Sequence, residues 1–201
     1  SSILSSLSLR RKIHLMSGNV TKLGIFWDMF VKKHYNRRPY PAGGLPSHGV
    51  PPIAFVDGPR GVVAGNSTCF PVSMARGASF DPELEERVGL AIGREVRAHG
   101  GNYFGGVCIN VLRHPAWGRA QETYGEDPHL LGEMGAALVR GVQHQNVMAC
   151  VKHYALNSIE NARFKVNVKV DERTLREVYL PHFRACVDAG AASVMGAYNK
   201  V

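Results

Sequence analysis

Beyond residue 53, short unbroken apolar runs alternate with longer stretches whose apolar residues recur every three or four positions. Residues 53–56 (IAFV) stop at Asp57-Gly58-Pro59, as a strand ending in a turn does. Asp81-Pro82 then supplies a helix cap followed by Pro at the first helical position. Leu84, Val88, Ile92 and Val96 line one face of that helix, and Gly100-Gly101 closes it. Residues 107–112 (VCINVL) are apolar at nearly every position, which predicts a strand covered on both faces. Asp127-Pro128 repeats the helix-start signal, and Leu131, Met134, Leu138 and Val142 give the second apolar face. The next buried strand is predicted at 147–151 (VMACV), with Lys152-His153 at its end. Val166, Val168 and Val170 alternate with polar residues, a half-exposed excursion. Asp171 caps a third helix through Leu175, Val178, Tyr179 and Phe183, kinked at Pro181 because proline removes a backbone donor. Gly190 ends it, and 193–198 (SVMGAY) is the last predicted strand.

Wholly apolar strands alternating with amphipathic helices predict an α/β fold with a parallel sheet and right-handed crossovers. A doubly wound sheet and a (β/α)8 barrel both satisfy that pattern, and both gather function at the carboxyl ends of their strands. Those ends carry Asp57, the loop 113–126, Lys152-His153 and Tyr198-Asn199. Acid, cation, imidazole and phenol together suit a polyhydroxylated or carbonyl ligand. Upstream, a cap at Ser8 opens a short helix to Met16, and RRPYPAGGLPSHGVPP favours turns and extended chain. The chain therefore divides into an irregular lead-in, 1–52, and a domain, 53–201.

Composition changes this picture little. With 45% hydrophobic and 20% charged residues, the 201-residue chain is of ordinary globular make-up rather than disordered. The net charge of +8 invites a nucleic-acid reading, but eight Lys/Arg against Asp28 alone fall in residues 1–40. A solvated basic entry segment accounts for that, and no nucleic-acid partner is expected. No apolar run approaches the ~20 residues that span a bilayer, so no membrane partner is expected. The chain lacks both an initiator Met and a signal-peptide pattern, and we expect it to begin within a longer gene. Cys69, Cys108, Cys150 and Cys186 are too far apart for a Cys-x-x-Cys motif, and neither metal nor cofactor is expected. The triplets at Asn19 and Asn66 fit the glycosylation pattern without fixing a compartment.

Five stretches, in order, resemble glycoside hydrolase family 3: DGPRG (57–61), NVLRHPAWGRAQETYGEDP (110–128), KHYALN (152–157), VDERTLREVYLPHF (170–183) and VMGAYN (194–199). The resemblance runs from about residue 8 to the end and lies nearest the β-glucosidase and β-xylosidase branch. It implies a (β/α)8 TIM-barrel type of domain, incomplete in this chain. It also implies a sugar pocket at the barrel mouth, taking a β-glucoside or oligosaccharide substrate. By the same resemblance Asp57 accepts from sugar hydroxyls, Arg119 donates a fork of N–H groups, and Lys152 and His153 donate to adjacent hydroxyls. Tyr198 would stand beside the anomeric carbon. Each has a plainer role: Asp57 bracing its own turn, Arg119 pairing with Glu122 or Glu126, Tyr198 filling a core. Many relatives carry Arg six residues past the Asp, where this chain has Val63.

Retaining glycosidases use two carboxyl groups about 5–5.5 Å apart. In this family the nucleophilic Asp follows the next strand and the acid/base Glu comes from a later domain. Neither is expected before Val201, so the chain would hold no principal catalytic carboxylate. The expectation is a fragment of a retaining, exo-acting β-glycosidase whose C-terminal part is missing. The competing expectations are an inactive sugar-binding module and an unrelated barrel enzyme using Lys152 as a Schiff-base amine.

Overall fold

A computed structural model describes residues 2–18, 22–33 and 36–201; the Asn19 triplet lies outside them. Five strands form one sheet in the order β1-β2-β3-β4-β5: β1 Tyr40–Ala42, β2 Ile53–Val56, β3 Tyr103–Cys108, β4 Met148–Tyr154 and β5 Ser193–Gly196. Strands β2 to β5 run parallel and β1 runs antiparallel to β2. The sheet curls into a half barrel in a mixed α/β fold. Helices α1 (Ser2–Ser6), α2 (Leu9–Leu15) and α3 (Lys22–Phe26) precede it, the last running into a π-helical turn at Trp27–Val31. Helices α4 (Ser73–Gly77) and α5 (Pro82–Ala98) join β2 to β3, and α6 (Pro128–Gln143) joins β3 to β4. Helices α7 (Glu172–Thr174) and α8 (Pro181–Asp188), with a π-helical turn Leu175–Tyr179 between them, lead to β5. Among the described residues no helix is long and apolar enough to cross a membrane.

The helix starts follow from their caps. Asp81 accepts from the Leu84 N–H at 2.9 Å, and Asp127 accepts from those of His129 and Leu130 at 3.0 and 3.3 Å. Each cap satisfies donors that a first helical turn leaves orphaned. The apolar faces of α5 and α6 cover the convex side of the sheet. There Phe104, Val107, Ala149 and Val151 form one buried cluster with Ile92, Val96, Leu131, Leu138 and Val142. The two helices touch through glycine. A Cβ on Gly141 would overlap the Glu86 carbonyl, and one on Gly89 would lie 2.9 Å from the Leu138 carbonyl oxygen.

The third strand begins at Tyr103 and ends at Cys108, four residues upstream of its expected span. Val107 and Cys108 pair with β4, but Ile109 and Val111 are buried although they lie past the strand's end, so the apolar run reports burial beyond the pairing. The strand's first half is hidden in the sequence by Gly105 and Gly106, which mark a bulge: Phe104 pairs with Ala149 but Val107 with Val151. The last strand stops at Gly196, two residues early. The valine excursion supplies a single bridge, Asn167 to Lys200. At the proline-rich loop, Tyr40–Ala42 adds β1 to the edge of β2. The concave side is open: Phe55 is 42% exposed and borders a hollow of about 440 Å³ with Tyr40, Tyr103, Cys150 and Met195 on its wall.

Candidate functional site

The five residues assigned to the sugar pocket meet in one place. Asp57, Arg119, Lys152, His153 and Tyr198 line a cavity of about 250 Å³, together with Arg163 and Met195. It sits where the parallel strands present their carboxyl ends. Asp57 follows β2, Arg119 lies in the β3–α6 loop, Lys152 and His153 precede Tyr154 at the end of β4, and Tyr198 follows β5. A regular strand sends consecutive side chains to opposite faces. Here Lys152 pairs with Met195 and Tyr154 with Gly196, so His153 is an extra residue in β4. That bulge lets neighbouring Lys152 and His153 both reach the cavity. The Lys152-His153 and Tyr154-Ala155 peptides are cis.

Lys152 is 3% exposed and donates from Nζ to Asp57 Oδ1 at 2.6 Å. The same oxygen accepts from the Gly58 N–H at 2.8 Å, so Asp57 braces its own turn as well. Its side chain is 56% exposed, and no hydrogen bond reaches Oδ2 among the described residues. Lys152 carries three donors and spends one here, which leaves N–H groups for a ligand.

Arg119 makes the ion pair with Glu122 that its sequence neighbourhood suggests, through Nε to Oε1 at 2.8 Å and Nη2 to Oε2. Burial opposes its charge, but the hydrogen bond and charge of Glu122 prevail and hold the guanidinium above its usual value. Its Nη1 donates to His153 Nε2 at 2.9 Å. One N–H on each terminal nitrogen stays unspent, and Arg119 lines the cavity. His153 is buried, and Asn110 Oδ1 lies 2.9 Å from its Nδ1. Burial first, then the charges of Arg119, Lys152 and Arg163, push its imidazole down to about 2. The ring is neutral at ordinary pH and, so arranged, has no N–H over for a ligand.

Two further side chains belong to the site. Arg163 stands 4.8 Å over the Tyr198 ring and 5.0 Å over that of Phe164, and pairs with Glu160 at 2.8 Å. Glu160 in turn accepts from Trp117 Nε1 at 3.2 Å, so buried Trp117 supports the rim rather than lining the cavity. Asn110 is the second. A lone amide inside the apolar run VCINVL was its signal, since a buried amide needs partners; Arg163 gave none. Val63 borders the larger hollow beside Asp57 and supplies no donor there. Among the described residues no cluster of His, Cys, Asp or Glu is arranged to hold a metal.

Behind the cavity a buried network ties its two loops together. Arg76 donates to Glu85 through Nε at 2.8 Å and Nη2 at 3.1 Å, and Nη2 also reaches the Pro59 carbonyl at 3.1 Å. The Tyr124 hydroxyl donates to Glu85 Oε1 at 2.6 Å. Pro59 lies two residues past Asp57, and Tyr124 five past Arg119.

Known proteins resemble this chain in sequence and fold. Residues 45–201 match the glycosyl hydrolase family 3 N-terminal domain. A β-glucosidase of Rhizobium radiobacter is 37% identical over 207 residues, 99% of this chain and 23% of that protein. One from Bacteroides ovatus is 40% identical over 182 residues, 83% of this chain and 24% of that protein. β-Glucosidase 3B from Thermotoga neapolitana, solved in complex with glucose, superposes with a TM-score of 0.88 at 34% identity. That match covers 99% of this chain and 29% of that one, so the chain spans about a quarter of the length of these relatives. With most of its length matched by the family's N-terminal domain, and its strand-end cavity built from the motifs that first suggested the kinship, the chain belongs to glycoside hydrolase family 3.

Proposed function

We propose that this chain is the sugar-holding portion of a (β/α)8 barrel in a retaining, exo-acting β-glycosidase that removes terminal β-D-sugar residues. The observation that carries the reading is the meeting of Asp57, Arg119, Lys152, His153 and Tyr198 in one strand-end cavity. In the proposal Asp57 Oδ2 accepts from one sugar hydroxyl, while Lys152 Nζ and the unspent Arg119 N–H groups donate to its neighbours. An exposed carboxylate beside two cations suits vicinal hydroxyls, each of which both gives and takes a hydrogen bond. His153 forms the floor behind Arg119. Tyr198 offers its hydroxyl near the reacting carbon, its ring steadied by Arg163.

The chain's own chemistry stops at binding in this reading. Retention needs two carboxyl groups facing one another across the bond. Asp57 is the only carboxylate lining the cavity among the described residues, and Glu122 is committed to Arg119. Nucleophile and acid/base would both come from sequence beyond Val201. The test is hydrolysis of an aryl β-glucoside by the longer protein and by the isolated 201-residue chain. Turnover by the former with none by the latter supports the reading. Turnover by the isolated chain, abolished in Asp57→Asn, would refute it and make Asp57 catalytic.

A further inference from the structure

Asn110 makes three hydrogen bonds to one residue. Its Oδ1 accepts from the His153 backbone N–H at 2.9 Å, and its Nδ2 donates to the His153 carbonyl at 2.8 Å. Because one partner can only donate and the other only accept, the amide orientation is fixed without ambiguity. The ring contact then has one solution: Nδ1 lies 2.9 Å from that same Oδ1, so Nδ1 must carry the proton and donate it. The far side of the ring agrees, since Arg119 Nη1 can only donate and faces Nε2 at 2.9 Å. Asn110 is itself pinned, with its carbonyl accepting from Thr123 Oγ1 at 2.6 Å, and both residues are buried.

We infer that Asn110 is a positioning residue for the sugar site: it locks His153 as the neutral Nδ1–H tautomer, so that Nε2 remains a standing acceptor that aims Arg119 into the cavity. The inference rests on the sugar-site reading above and adds a tautomer and a residue to it. Glu122 grips Arg119 from one side and could turn with it; His153, buried and held by Asn110, supplies the second fixed point. A neutral amide does this where a carboxylate would not. An anion on Nδ1 would favour the imidazolium, whose Nε2–H would repel the Arg119 N–H. The groups around the ring agree. Arg119, Lys152 and Arg163 face it as cations, and Asp57, Glu122 and Glu160 are each bonded to one of them. The Tyr198 hydroxyl shares the cavity, and the Cys108 thiol sits opposite Lys152 on β3.

The direct test is proton–nitrogen correlation of the imidazole rings in 15N-histidine-labelled protein carrying this chain, between pH 5 and 9. Signals of His153 are identified by their absence in His153→Gln, or by through-bond correlation to its backbone if that variant does not fold. A protonated Nδ1 and bare Nε2 at every pH support the inference; an Nε2–H tautomer or a titration in that range overturns it. The second test is Asn110→Asp in the longer enzyme. An added acid-side ionisation should appear, with kcat/KM about tenfold or more lower below it and recovering above it. A uniform loss at all pH values would make Asn110 merely structural and overturn the positioning role. Absence of glycosidase activity in the unaltered protein would count against the proposed function, while the tautomer measurement would still decide the lock.

Discussion

Replacing Glu85 with Ala removes the carboxylate on which Arg76 and Tyr124 both converge. The Arg76 side chain is 3% exposed and that of Glu85 0%, so the guanidinium would be left buried without its counter-charge. Breaking a buried pair from one side costs about 3–5 kcal/mol. Tyr124→Phe deletes a single hydrogen bond to a charged group, at about 1.5–3 kcal/mol. Against the 5–15 kcal/mol typical of a domain, the first is a large fraction and the second a moderate one. The triple variant Arg76→Met, Glu85→Leu, Tyr124→Phe removes both charges and the phenol hydroxyl together, and packed apolar replacements of buried pairs are often neutral. Here recovery should be partial, because Arg76 also holds the carbonyls of Pro59 and Pro71, which Met cannot. Urea unfolding followed by circular dichroism gives the three values. The triple should be more stable than Glu85→Ala alone; on the proposed function it should also bind a sugar more weakly than wild type, since the turn after Asp57 loses its hold on Arg76. A cost below about 1 kcal/mol for Glu85→Ala would refute the assignment of this network as a strut.

On the proposed function, Lys152→Ala should lower kcat/KM of the longer protein by about ten- to two-hundred-fold, the value of a hydrogen bond to a charged group, by steady-state assay on an aryl β-glucoside. Its stability loss should be modest, because Asp57 is exposed enough to take water in place of the ammonium. Gly141→Ala should destabilise by about 1–3 kcal/mol in urea unfolding, since the new methyl meets the Glu86 carbonyl. Acid should weaken the fold from about pH 6.5 downward. The folded state resists protonating His153 and His182, held down to about 2 and about 4 chiefly by burial, whereas the unfolded chain accepts those protons. Stability should thus fall by up to about 1.4 kcal/mol per pH unit for each group, His182 ceasing to contribute below about pH 4. His182→Gln should flatten the slope measured by urea unfolding at successive pH values.

The helices were legible because their ends are written locally. Asp81-Pro82 and Asp127-Pro128 each combine a cap with a residue preset for the first turn, and no tertiary contact is needed to read them. Pro181 likewise announced the break between the π-helical turn and α8. Strand limits were less legible, because burial and pairing leave the same apolar signature. Ile109 and Val111 looked like strand and are core, while Gly105 and Gly106 fell before the expected strand and belong to it. The cavity residues at strand ends could be named from sequence, since parallel topology forces those ends together. Arg163 could not, because its approach to Tyr198 depends on how the loop 155–171 crosses back over β5's end. Nor could the double duty of Arg119, whose ion pair with Glu122 and reach into the cavity had looked like competing accounts.

The bulge at Gly105 and Gly106 also sets parity. Two residues there stand where one would keep step with β4, so every side chain downstream has been moved to the opposite face from the one simple counting assigns. Through it Val107 faces the helices, Cys108 falls opposite Lys152, and Asn110 arrives beneath His153. Shortening β3 by a single glycine would therefore not trim the strand. It would turn Asn110 toward the helices and a hydrophobic neighbour toward the imidazole, exchanging the cavity's support for a methyl group while leaving the residues that line the cavity unchanged.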